Sequence, residues 1–80
     1  MEVVVYTRSV CPLCEIVKDY LEILKLEVPS LEWKEVDIYQ DDELLEEYQI
    51  RIPVVVYQKQ VLAEGNVEYD FLKKKIFENM

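Results

Sequence analysis

Two cysteines three positions apart are the residues of this sequence best suited to chemistry. They form the run Cys11-Pro12-Leu13-Cys14. Such a C-x-x-C pair serves in thiol-disulfide exchange, as half of a zinc site, as a metallochaperone pair or as an inert disulfide. On a helix the Cβ atoms of residues i and i+3 lie about 5 to 6 Å apart, whereas a disulfide needs about 3.5 to 4.5 Å. A modest tightening of the first turn closes the bond, so both redox states fit one fold.

The residue types that the chain lacks narrow these alternatives. It has no histidine and no further cysteine, so neither the second half of a zinc site nor a histidine-based catalytic triad can be assembled. An inert bridge would close a ring of only four residues, and short rings give the least entropic stabilisation. We therefore expect no bound metal and favour redox exchange. A dithiol that binds metal without exchanging disulfides is kept as an alternative.

A strand-to-helix junction is predicted around the pair. The β-branched run in Glu2–Thr7 is too short for a helix and apolar on both faces, which indicates a buried strand. From Leu13 onward the apolar residues recur at the spacing of an amphipathic helix, with Pro12 in its first turn. The residues expected on the inward face of this helix are Leu13, Ile16, Val17, Tyr20, Leu21 and Leu24.

This junction makes the two cysteines unequal. Cys11 falls at or just before the first helical residue, where unpaired backbone N–H groups and the positive end of the helix dipole stabilise a thiolate. Cysteines at such sites titrate at roughly 3.5 to 7.5, against about 8.5 for a free cysteine. Cys14, one turn further along, is expected to be more buried and less ionised. The spacing also places Cys14 where it can release a substrate bound as a mixed disulfide.

The rest of the chain alternates between strands and helices. Strands are predicted over Leu31–Ile38, Ile52–Tyr57 and Val61–Ala63, and a helix of about two to three turns begins with the acidic run Asp41–Glu43. Asn66 is the expected N-cap of a last helix. The residues expected on the inward face of that helix are Val67, Phe71, Leu72 and Ile76. The order βαβαββα makes the first two strands parallel and pairs the last two as an antiparallel hairpin.

Length and composition limit the fold and its partners. The chain has 80 residues, of which 51% are hydrophobic and 32% charged, and this predicts one folded domain over residues 1–80. A net charge of -8 argues against nucleic acid as a partner, because phosphate backbones require a basic surface. The segment Glu27–Tyr48 holds nine acids and one base, Lys34. It is either a solvated face or a docking surface for a basic partner.

No segment of the sequence is suited to a membrane. The longest uncharged run, Ile52–Gln58, has seven residues, whereas a helix needs about 20 to span a bilayer. The N-terminus shows neither the positive region nor the apolar stretch of a secretory signal. We expect a monomer that works in the cytoplasm without contacting a membrane.

Three parts of the sequence together resemble the glutaredoxins and their small glutaredoxin-like relatives. They are the run Tyr6–Cys14, the segment Arg51–Val54 about forty residues later, and Gly65 before the last helix. The resemblance spans the whole chain. It implies a thioredoxin-like α/β fold in which helices flank a central four-stranded mixed sheet.

The same resemblance implies roles for individual residues. Cys11 would be the nucleophile, Cys14 would resolve the mixed disulfide, and Pro53 would be a cis-proline facing the dithiol. The backbone of Ile52 would pair with an extended substrate as an added strand, and Arg8 would assist the thiolate and glutathione binding. The substrate-binding residues implied in this way are Arg8, Pro12, Leu13, Arg51, Ile52, Pro53, Gly65 and Asn66.

Three positions depart from the glutaredoxin pattern. Leu13 stands where these proteins usually carry an aromatic residue, and Glu64 stands where they carry a glycine. Val67 offers no side-chain hydrogen bond where a polar residue is usual. Two reductants therefore stay open, glutathione as a co-substrate and a protein of the thioredoxin-reductase type.

The favoured function is that of a thiol-disulfide oxidoreductase. It would use the Cys11 and Cys14 dithiol to reduce protein disulfides or glutathione mixed disulfides, with no cofactor besides its own redox-active disulfide. The alternative is a non-catalytic thioredoxin-fold module that binds a partner through its acidic face.

Overall fold

The elements of the computed structural model, which describes all 80 residues, follow the predicted order. Four strands, three α-helices and one short 3₁₀ turn are present. They are β1 (Glu2–Thr7), α1 (Pro12–Glu27), β2 (Glu32–Asp37), the 3₁₀ turn Ile38–Gln40, α2 (Asp42–Tyr48), β3 (Val54–Tyr57), β4 (Gln60–Glu64) and α3 (Tyr69–Glu78). A helix long and apolar enough to cross a bilayer is not among them.

The strands form one mixed sheet in the order β2-β1-β3-β4. β1 pairs with β2 in parallel along its whole length and with β3 antiparallel, where Tyr6 lies opposite Val54. β3 and β4 pair antiparallel across a turn in which Gln58 and Lys59 both have positive φ, as in the favoured two-residue hairpin turns. The predicted thioredoxin-like α/β fold is confirmed.

β1 is apolar on both faces because it lies inside the sheet with helices on either side. Val3 and Val5 are fully buried in the core beneath α1 and α3, whereas Tyr6 points to the opposite face and stacks on Tyr48 of α2. The core cluster consists of Val3, Val5, Val17, Leu21, Leu24, Val28, Leu31, Val55, Leu62, Ala63, Val67, Leu72 and Ile76.

The inward face of α1 is narrower than the sequence pattern predicts. Its buried residues are Cys14, Val17, Leu21 and Leu24. Leu13 and Ile16, both expected inside, keep 38% and 42% of their surface exposed. Both lie beside the line of buried residues, on the flank of the helix that also carries Tyr20. Tyr20, on the same flank, meets Tyr69 of α3 edge to face at 5.3 Å.

The start of α3 and one of its residues were predicted wrongly. Glu68 is the N-cap, without a side-chain capping bond, and Asn66 lies two residues earlier, in the bend that precedes the buried Val67. Leu72 and Ile76 face the core as predicted, but Phe71 is 48% exposed. Since Leu72 points inward and each residue turns the helix by about 100°, Phe71 lies on the flank of α3, where it lines a groove with Ala63 and Val67.

Candidate active site

The two cysteines form a disulfide at the start of α1. Cys11 is the N-cap residue, with extended backbone angles, and the backbone N–H of Cys14 donates a hydrogen bond to Cys11 Sγ at 3.2 Å. The Cα atoms of the pair are 5.2 Å apart. The first turn of the helix therefore directs a backbone donor at the first sulfur, as the predicted junction requires.

The two sulfurs differ in access to solvent. Cys14 is completely buried among the core residues, whereas Cys11 is half-buried and is followed by the exposed Pro12 and Leu13. This difference agrees with the expectation that Cys14 is the more buried residue. An incoming sulfur atom can therefore reach Cys11 but not Cys14.

The loop that leads to Cys11 is exposed and partly strained. Val10 has a φ of 53°, which is costly for a β-branched residue, and 95% of its surface is exposed. Arg8 lies on the same loop and forms no ion pair. Its guanidinium lies over the ring of Tyr39 at 5.2 Å, and its Nε donates to Ser9 O at 3.4 Å.

A polar pocket of about 340 Å³ lies beside this loop. Its lining residues are Thr7, Arg8, Ser9, Glu15, Lys18, Glu35, Asp37 and Gln40. Within it the buried Thr7 hydroxyl donates to Glu35 Oε2 at 2.7 Å, and Lys18 Nζ lies 3.1 Å from the same oxygen. The Thr7 hydrogen bond, assisted by Lys18, lowers the pKa of Glu35. Hydrogen bonds from Lys18 to Glu15 and Glu35 raise the pKa of Lys18.

Pro53 lies at the same end of the sheet as the dithiol. The Ile52–Pro53 peptide bond is cis, as the resemblance implies, and Pro53 is buried. Gly65, at a φ of 71°, donates its N–H to Pro53 O at 2.8 Å and Arg51 O at 3.1 Å. Val54, the next residue, pairs with Tyr6 near the end of β1 from which the Cys11 loop leaves. The strand register thus brings Pro53 and Gly65 to the dithiol end of the molecule.

Arg51, an expected substrate-binding residue, is engaged within the chain. Its guanidinium donates to Glu47 Oε1 at 2.8 Å and Glu64 Oε2 at 2.7 Å, and it lies over the ring of Tyr48. The Glu64 hydrogen bond raises the pKa of Arg51, and burial raises the pKa of Tyr48. The charge that Glu64 brings to this turn is therefore compensated by Arg51.

The Tyr6 and Tyr48 stack was missed by the sequence analysis. Their ring centroids are 4.6 Å apart, and the guanidinium of Arg51 lies 5.1 Å from the centroid of the Tyr48 ring. The position of Tyr6 could have been predicted from the sequence. Side chains alternate along a strand, so Tyr6 must face the side of the sheet opposite to Val3 and Val5.

The remaining expected residues fall into two neighbouring groups. Arg8, Pro12 and Leu13 lie on the loop and helix around Cys11. Asn66 instead lines a second groove, between β4 and α3, and is exposed. The structure contains no group of three or more His, Cys, Asp or Glu side chains that could hold a metal ion.

Comparison with known proteins gives one family and a common fold. The family model described as Glutaredoxin-like domain (DUF836) matches residues 2–77. Among curated proteins no significant match is found. A structural-genomics target protein, XcR50 from X. campestris, superposes with a TM-score of 0.77 at 18% identity, covering 95% of this chain and 96% of that chain.

Thioredoxins are also similar in structure. The Fasciola hepatica protein has a TM-score of 0.68 at 20% identity, covering 99% of this chain and 80% of that one. Thioredoxin from Trypanosoma brucei brucei has a TM-score of 0.66 at 18% identity, covering 98% and 73%. At these identities the shared property is the fold.

Proposed function

The chain belongs to the glutaredoxin-like domain family, and from this premise we propose that it is a thiol-disulfide oxidoreductase acting through Cys11 and Cys14. The observation that carries the proposal is the position of Cys11. It is the accessible N-cap of α1, receives the Cys14 N–H at its sulfur, and is bonded to a buried partner cysteine. A backbone donor and the helix dipole favour the thiolate that disulfide attack requires.

In the proposed reaction, two electrons pass from the reduced protein to a substrate disulfide. The Cys11 thiolate attacks one substrate sulfur, forms a mixed disulfide and releases the other substrate sulfur as a thiolate, which takes a proton from solvent. Cys14 then loses its proton and attacks Cys11 Sγ. This step forms the Cys11–Cys14 disulfide and releases the second substrate thiol. An external thiol reductant, either two glutathione molecules or a dithiol protein, supplies the electrons for the next cycle.

The surroundings of Cys11 support binding of an extended substrate segment. The Ile52 N–H is already bonded to Tyr48 O at 3.1 Å, so a substrate strand would pair with the Ile52 carbonyl. Pro12 and Leu13 offer exposed apolar surface next to the reacting sulfur. Arg8 carries an unpaired cation on the loop before Cys11, where it would favour the thiolate.

A redox titration tests the proposed function. We expect the dithiol to equilibrate with glutathione or dithiothreitol buffers at roughly -270 to -180 mV, the span of thioredoxin through disulfide isomerase. A pair that stays reduced throughout, or that binds zinc tightly without exchanging disulfides, would contradict the proposal. The reductant is identified by comparing turnover with glutathione and its reductase against turnover with a thioredoxin-type reductase.

A further inference from the structure

A groove between the end of β4 and the first turns of α3 lies on the dithiol end of the molecule. It has a volume of about 340 Å³. Its lining residues are Ala63, Glu64, Asn66, Val67, Glu68 and Phe71, and we call it the 63–71 groove. Glu64 pairs with Val54, which follows Pro53, and Val54 pairs with Tyr6 near the end of β1. The groove therefore begins at the level of the sheet where the Cys11 loop leaves β1.

Half of the groove's lining residues are apolar. Ala63 and Val67 are buried beneath it, and the ring of Phe71 is half exposed. An aromatic ring that is exposed to water is stabilised when apolar groups cover it. An alkyl chain lying against Val67 and Phe71 would cover that surface.

The polar lining residues give the groove a negative charge. Glu64 shares the single guanidinium of Arg51 with Glu47, so these three groups carry one negative charge between them. Glu68 is exposed, makes no ion pair and does not cap α3 with its side chain. Its carboxylate is therefore free to accept hydrogen bonds from a ligand.

Besides Arg51, which is bonded to Glu64, one further cation of the chain lies close to the groove, and it is also paired. Lys75 Nζ sits over the Phe71 ring at 5.5 Å and pairs with Glu78 at 3.7 Å. The negative charge that an approaching group meets is thus that of the unpaired Glu68 and the one excess carboxylate of the Glu47, Arg51 and Glu64 group.

We propose that the 63–71 groove binds a lysine or arginine side chain of the partner protein whose disulfide reacts at Cys11. The proposal rests on the proposed function, because it concerns the partner of that reaction. The alkyl stem of the basic residue would pack on Val67 and Phe71, and its cation would reach Glu68 and Glu64. Disulfides flanked by basic residues would therefore react faster than anionic ones such as glutathione disulfide.

Kinetics with two matched peptides test this proposal. Both contain the same disulfide, flanked by lysines in one peptide and by glutamates in the other, and the second-order rate constant of reduction is measured for each with the reduced protein. We expect the lysine peptide to react roughly tenfold faster at low ionic strength, and the ratio to fall as salt screens the charges. We expect Glu68→Gln to lower the ratio by up to about fivefold, the effect of one exposed ion pair.

Two further variants separate the groove from net charge. Glu22→Gln removes the same charge from an exposed position on α1 that has no ion pair, and we expect it to keep the wild-type ratio. Phe71→Ala leaves the charge unchanged and removes the aromatic ring on which the lysine stem would pack. The rate with the lysine peptide is therefore expected to fall. A wild-type ratio near one, or equal losses in Glu68→Gln and Glu22→Gln, would overturn the proposal.

A binding measurement tests the 63–71 groove independently of the proposed oxidoreductase function. A lysine peptide without a disulfide is titrated into the isotope-labelled protein, and the amide signals of Val67, Glu68 and Phe71 are expected to shift, whereas a glutamate peptide leaves them in place. Shifts without any disulfide exchange would uphold the groove and refute the oxidoreductase. Exchange without charge preference and without shifts would refute the groove alone.

Discussion

At the scale of single residues, access separates the two cysteines. Cys14 is completely buried, while Cys11 is the half-buried N-cap whose sulfur receives the Cys14 N–H. A substrate sulfur that approaches from solvent meets Cys11. Cys14 can reach only Cys11, so it is suited to resolve an adduct and not to start one.

This asymmetry predicts different outcomes for the two serine variants. Cys14→Ser is expected to accumulate a covalent mixed disulfide with a disulfide substrate, because Cys11 still attacks but no nearby thiol resolves the adduct. Cys11→Ser is expected to form none. Intact mass spectrometry under non-reducing conditions measures both. Equal trapping by the two variants would show that the roles are assigned wrongly.

At the scale of elements, α1 carries the site on a helix whose inward face is only one residue wide at each turn. Leu21 is fully buried in the core, whereas Ile16 keeps 42% of its surface exposed. The sequence pattern places both residues inside, because both fit the amphipathic spacing. The stability of the helix therefore depends on the first residue far more than on the second.

Alanine variants of these two residues measure that difference. Leu21→Ala is expected to lower the free energy of unfolding by about 2 to 5 kcal/mol, since it removes buried methyl groups and leaves a cavity. Ile16→Ala is expected to cost about 1 kcal/mol, because much of the side chain stays in water. Urea unfolding followed by circular dichroism gives both values. Similar losses would mean that Ile16 is buried in solution.

A group of polar side chains links β1, α1 and β2 through hydrogen bonds and an ion pair. It consists of Thr7, Lys18 and Glu35, and the Thr7 hydrogen bond with the help of Lys18 holds the pKa of Glu35 below its usual value. The folded state thus favours the ionised carboxylate. Its contribution to stability is complete above the unfolded pKa, near 4.5, and is lost as the pH falls through the lower folded pKa.

The pH dependence of stability tests this connection. We expect Glu35→Gln to lose less stability than the wild type when the pH is lowered below about 4.5, because the variant has no carboxylate to protonate there. Glu32→Gln, on the same strand without an ion pair, serves as the control. If Glu35→Gln and Glu32→Gln follow the same curve, Glu35 is not held ionised by the fold.

At the scale of the whole molecule, the sheet order separates the dithiol from the only tryptophan. Trp33 pairs with Val3 at the start of β1, and the strand ends four residues later at Thr7, before the loop to Cys11. Four residues of strand span about 13 Å. Trp33 therefore lies toward the end of the sheet opposite the disulfide.

Fluorescence tests this placement. A disulfide quenches an excited indole at contact range, so we expect reduction by dithiothreitol to change Trp33 emission little. Circular dichroism before and after reduction controls for unfolding. A large emission change with an unchanged fold would place the indole next to Cys11 and contradict the strand order.

The sequence by itself determined the element order and the asymmetry of the cysteines. The β-branched run before Cys11 and the amphipathic spacing after it predict a strand-to-helix junction, because local periodicity of 2 or 3.6 residues is written directly in the chain. The parallel pairing of the first two strands follows from the helix that connects them, because parallel neighbours need a crossover of a dozen or more residues. These features depend on neighbours in sequence.

The tertiary structure alone decided which side of each helix is covered and which charges are free. Phe71 is exposed and Asn66 caps nothing, because the connection after Gly65 is fixed by hydrogen bonds to Arg51 and Pro53, far away in sequence. Arg51 is held by Glu64 for the same reason. Burial and ion pairing are properties of packed neighbours, and packing brings together residues whose sequence separation no local pattern records.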